Sequence, residues 1–143
     1  MFTRILLATD GSPLSDKAGA AAVAFAQDCG AQLVALSVAV LYPIPPEAGV
    51  VADIASFEDA ARAEARRTLE PTAAAAAAAH VGCKLVVRYA PDPWREIIDV
   101  AVENGCDCIW MASHGRSGLN RLLLGSETQR VLAHTTIPVM VYR

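Results

Sequence analysis

The chain has 143 residues but no apolar run near the ~20 that cross a bilayer. A short apolar core precedes Thr9-Asp10, and the alanine run Ala73 to Ala79 is far too brief. No membrane partner and no export signal are expected, and the chain reads as cytoplasmic. Clustered basic charge is also missing. The formal net charge is −3, the pI is near 5.5 and the arginines are scattered, which argues against a nucleic-acid partner. Four cysteines (Cys29, Cys83, Cys106, Cys108) lie in or beside apolar segments, and Cys106-Asp-Cys108 lacks the two-residue gap and second ligand pair of a zinc site. They read as buried, reduced thiols, and no metal site is expected.

Familiar catalytic fingerprints are absent too. The turn Thr9-Asp-Gly-Ser-Pro13 has one glycine and fails the dinucleotide pattern G-x-G-x-x-G, and no G-x-x-x-x-G-K-[ST] occurs for a P-loop. Ser126, His114 and Asp10 could suggest a hydrolase, but G-x-S-x-G is missing and no serine sits on a strand-to-helix elbow. No residue stands out as a general base, so no catalytic residue is assigned.

With 54% hydrophobic residues, the length suits one domain over residues 1–143. Strand and helix patterns alternate along it. Residues 4–10, 32–39, 84–89, 108–112 and 138–142 read as strands. Ser12-Pro13 opens a helix that runs to about Cys29, where Gly30 stops it. Tyr42-Pro-Ile-Pro-Pro46 reads as loop. Ser56 with Asp59 starts a long helix to His80, in which Pro71 predicts a kink or short break. Asp92-Pro93 opens another, with Trp94, Ile97, Ile98, Val100 and Ala101 as its apolar stripe. Strands separated by helices, with no tight hairpin signal, predict a parallel α/β sheet covered on both faces. Ligands of such sheets bind beyond the strands' carboxyl ends, which would bring Thr9-Asp10 and the loop after Ala112 together.

That loop is the most informative stretch. Ile109 to Ala112 reads as a strand covered on both faces, and Ser113-His114-Gly115 ends it. Gly115 and Gly118 can take positive φ or admit another group close to the backbone. Nine residues separate Gly115 from Gly125, longer than most such connections, and Arg116 and Arg121 add cations. Gly125-Ser126 opens an apolar-periodic helix, with Ser126 and Gln129 spaced as a capping box. A helix N-terminus favours an anion such as phosphate. Asp10 could bind a ligand hydroxyl or the next turn's N–H groups, and the crevice position favours the ligand. His114 is expected to face solvent, His80 and His134 to sit at helix C-termini, and Trp94 and Trp110 to pack.

From Ile5-Leu-Leu-Ala-Thr-Asp-Gly-Ser12 through Ser113-His-Gly-Arg-Ser-Gly118 and Leu122-Leu-Leu-Gly-Ser126 to Ile137-Pro-Val-Met-Val141, the chain resembles the universal stress proteins of single-domain type. The resemblance implies a five-stranded parallel α/β fold, Rossmann-like and akin to the adenine nucleotide alpha hydrolases. It also implies a homodimer, here through the C-terminal strand, and in one subgroup ATP, with Mg as its companion ion. The subgroup's pattern is G-x-x-G, nine residues, G-[ST]. Carried over by position, Asp10 and the backbone near Val38 would meet the adenosine end, and Gly115, Gly125 and Ser126 the phosphates. Thr9, Ala112, His114, Arg116 and Glu127 complete the expected site. Two positions depart: the pattern's first glycine is Ala112, and Glu127 puts a carboxylate in the first turn of the helix. A nucleotide-free dimeric interaction protein of the same fold is the alternative.

Overall fold

The computed structural model describes residues 1–40, 54–116 and 123–143. Among them the elements alternate: β1 (Arg4–Ala8), α1 (Pro13–Cys29), β2 (Gln32–Val40), α2 (Ile54–Ala78), β3 (Cys83–Ala90), α3 (Pro93–Glu103), β4 (Cys108–Ala112), α4 (Ser126–His134) and β5 (Val139–Tyr142). The strands form one sheet in the order β3-β2-β1-β4-β5, and every pairing is parallel. The five-stranded parallel α/β fold is therefore present. The Pro-rich Tyr42 to Pro46, Gly118 and Arg121 lie outside the described residues.

Side-chain alternation divides the core between two faces. Ile5, Leu7, Leu33, Cys108 and Trp110 pack with Ala18, Ala22, Ala26 and Ala76 from α1 and α2. Leu6, Val34, Leu36, Ile109 and Met111 point the other way, onto Ile97, Val100 and Ala101 of α3 and Val131 of α4. Coverage of both faces is why β1, β2 and β4 are apolar at successive positions. The alanines of α1 and α2 let those helices approach the sheet closely.

Local chemistry sets the element ends. Ser12 caps α1 by accepting the Ser15 N–H at 3.3 Å, Pro13 occupies the first turn and Gly30 follows the last. β1 stops earlier than its expected end at residue 10. Thr9 still donates its N–H to Leu36 O (2.9 Å), but Asp10 turns the chain by accepting the Ser12 N–H (3.0 Å). α2 begins two residues before Ser56 and stays helical through Pro71, so the expected break is absent. Leu69, Thr72 and Ala76 are buried on either side of the proline. Packing on β2 and β3 holds this stretch helical against an intrinsic proline cost of about 3 kcal/mol.

Candidate functional site

The carboxyl ends of β1, β2 and β4 open into a crevice of about 560 Å³, walled by α2 and by the first residues of α3 and α4. This is where an open parallel sheet holds its ligands, and the volume lies within the roughly 300–1,000 Å³ of small-molecule sites. Thr9 and Asp10 after β1, Val38 in β2, Ala112 at the end of β4, His114, Gly115 and Arg116 beyond it, and Gly125, Ser126 and Glu127 at α4 all line it.

Asp10 organises the two loops. Its carboxylate accepts the Ser12 N–H at 3.0 Å and, across 106 residues, the Arg116 N–H at 2.9 Å. Burial pushes its pKa up, but bonds from the Ser12 side chain and from the Ser12 and Arg116 N–H groups outweigh this, holding the carboxyl below its usual range. Gly115 is required by the same carboxylate. A Cβ there would sit inside the contact distance of Asp10 Oδ2. Its φ is not positive, so close approach and not left-handed backbone explains the glycine. Gly11 does take a left-handed φ of 74°, and a Cβ there would meet Thr68 Cγ2 of α2 at 2.9 Å.

Thr9 offers the crevice little side-chain chemistry. Its Oγ1 lies 3.0 Å from Ser15 Oγ and accepts the Gly11 N–H at 3.3 Å, within a buried group that includes Ser12. Ala112 has ordinary strand backbone, and its carbonyl accepts from Thr128 Oγ1 at 3.0 Å, which docks α4 onto β4.

The start of α4 differs from the capping box expected. Gly125 is the N-cap and makes no side-chain cap bond, because Ser126 is already the first helical residue. Gln129 reaches back to Leu124 O (2.6 Å). Among the described residues, the first turn of α4 therefore borders the crevice without a side-chain cap. Glu127 turns toward its neighbour: Oε2 accepts the Trp94 N–H at 2.9 Å, supplying the start of α3 with the acceptor that Asp92 does not provide. Its other oxygen lies 3.4 Å from Arg130.

His114 is half-buried instead of solvent-facing. Its Nδ1 lies 3.1 Å from Ser113 Oγ, and its backbone packs beside Gly125, where a Cβ would come within 3.2 Å of His114 Cα. The Arg116 guanidinium reaches over Gly11 toward α2. There Glu64 has a lowered pKa, chiefly through its hydrogen bond from Arg67, with Arg116 a lesser contributor. The four cysteines are free; Cys106 and Cys108 are buried, whereas Cys29 and Cys83 are only partly so. Among the described residues no histidine, cysteine and carboxylate group could hold a metal, and no helix is long and apolar enough to cross a membrane.

The sequence model of the "Universal stress protein family" matches residues 1–143. This chain belongs to that family. The Thermus aquaticus "Universal stress protein in QAH/OAS sulfhydrylase 3'region" is 34% identical over 143 residues, all of both chains. Among solved structures, UspA from Lactobacillus plantarum superposes with a TM-score of 0.75 at 29% identity, covering 99% of this chain and 97% of that one. A universal stress protein in complex with cAMP (TM-score 0.69, 22% identity, 99% and 97% covered) shares the fold. So does the Archaeoglobus fulgidus protein in complex with dAMP (0.68, 18%, 99% and 98%).

Sequence reasoning missed the α2 wall. Ala61, Glu64, Ala65 and Thr68 line the crevice, and Thr68 Oγ1 lies 2.8 Å from Ser37 Oγ. Their spacing of three and four residues marked one helix face. Which loop that face would meet was not marked.

Proposed function

We propose that this family member binds an adenine nucleotide in the crevice at the ends of β1, β2 and β4, and that occupancy is its output in a stress response. The observation that carries the reading is the first turn of α4, which borders the crevice without a side-chain cap while Asp10 pins the opposite loop. The N–H groups and dipole of a helix N-terminus suit a phosphate there. The relatives solved with cAMP and dAMP support adenine as the base. Asp10 and the backbone near Val38 would face the adenosine end. Gly115, Gly125 and Ser126 would face the phosphates, with Thr9, Ala112, His114, Arg116 and Glu127 around them. ATP with Mg is the ligand that the family pattern suggests. No residue is assigned to its hydrolysis.

A second reading is a nucleotide-free interaction protein. The packing of Asp10 explains Gly115 without any ligand, which favours it. In both readings the protein is a cytoplasmic homodimer joined through β5, whose outer edge offers unpaired backbone groups.

Thermal shift and calorimetric titration with MgATP, AMP and cAMP test the choice. A ligand at a hundredfold excess over Kd adds about 2.7 kcal/mol of stability. For a chain of this size that is roughly 5–10 °C in Tm. Gly115→Val should abolish binding, Ser126→Ala should weaken it by roughly 0.5–1.5 kcal/mol, and His114→Ala should change it little. Ala112→Gly should tighten binding if the methyl obstructs approach. Silence from both wild type and Ala112→Gly with all three ligands ends the nucleotide reading.

A further inference from the structure

We infer that Glu127 sets the charge that the crevice accepts, favouring adenine ligands with no more than one phosphate over a triphosphate. The inference rests on the nucleotide reading above. Glu127 is the second residue of α4 and lines the crevice where an anion would meet that helix. It is held there by the Trp94 N–H (2.9 Å), and the Trp94 ring is itself packed on His134, with centroids 4.5 Å apart. Arg130 compensates it weakly, at 3.4 Å and half exposed.

Among the described residues that line the crevice, Asp10, Glu64 and Glu127 are acidic and Arg116 is basic. A helix N-terminus acts as about half a positive charge. The fixed charge of Glu127 exceeds it with opposite sign, so each added negative charge on a ligand meets repulsion at this end of the site. Adenosine and cAMP avoid most of that repulsion, whereas ATP incurs it in full.

Glu127→Gln is the discriminating variant, because the amide oxygen still accepts the Trp94 N–H and only the charge is lost. Wild type, Glu127→Gln and Glu64→Gln are titrated calorimetrically with adenosine, cAMP, AMP and ATP in EDTA, at low salt and at about 0.5 M NaCl. Wild-type affinity is expected to fall from cAMP to ATP. Glu127→Gln should improve ATP affinity roughly tenfold and leave adenosine within about twofold. The gain should shrink at high salt. Glu64→Gln should do less, because Glu64 is more exposed and already paired with Arg67. Equal shifts for all four ligands, or none, overturn the assignment while leaving nucleotide binding intact. No heat from any ligand with any of the proteins overturns both.

Discussion

The bond between Asp10 and Arg116 can be tested through Gly115 without any ligand. Asp10→Ala removes the acceptor of two N–H groups. Hydrogen bonds to a charged acceptor contribute about 1.5–3 kcal/mol each, and partial exposure of this pair reduces the sum to roughly 2–4 kcal/mol. In a chain of this length that is about 6–12 °C in Tm. Gly115→Ala should cost about 1–3 kcal/mol, because the new methyl displaces the Asp10 carboxylate. In the Asp10→Ala background the obstacle is gone. The same alanine should then cost under about 0.5 kcal/mol, since the φ of Gly115 suits any residue. Urea denaturation of the four proteins at pH 7 measures the coupling, expected to be at least about 1 kcal/mol. The sign with pH follows from the lowered pKa of Asp10. A depressed folded-state pKa stabilises above the unfolded value of about 3.9 and ceases to as pH falls through the folded one. The gap between wild type and Asp10→Ala should therefore narrow below about pH 4. An additive cycle, or a gap unchanged at pH 2.5, refutes the role given to this carboxylate.

Burial pushes the Cys106 and Cys108 thiols up to about 11, so both should resist alkylation at pH 8 until the protein unfolds; rapid native labelling of either, read by mass spectrometry, counts against this. Ser126→Ala should leave Tm within about 1 °C because Ser126 is not the cap, whereas Thr128→Val should lose roughly 1–2 kcal/mol with its buried bond to Ala112 O. Val141→Pro removes a backbone donor from β5 and should convert the proposed dimer to monomer by light scattering; an unchanged mass would exclude that edge as the joint.

Periodicity was enough for the fold: β4 matches residues 108–112, and the alternation of elements implied the parallel sheet. Boundaries shifted where a side chain intervened, as Asp10 does after β1. The capping box at Ser126 was misplaced because spacing alone does not say which residue first takes helical backbone. The expected site residues do line one crevice, since strand ends in such a sheet have only one side on which to meet. Two features stayed hidden for a common reason. The need for glycine at 115 comes from a carboxylate 105 positions earlier, and the acceptor for the start of α3 comes from Glu127, 33 positions after Trp94. Neither contact leaves a periodic trace, so only the folded chain displays them.

The place of β1 between β2 and β4 also orders events on the ribosome. β1 is made first and can pair with β2 early, but its second edge waits for residues 108–112, roughly 5–20 s later at ordinary elongation rates. Throughout that interval Ile5 to Ala8 presents an apolar, unpaired edge, the kind that recruits a neighbouring chain. A nascent chain stalled before β4 is thus the form of this protein most prone to aggregate, and one with which a chaperone would have to contend.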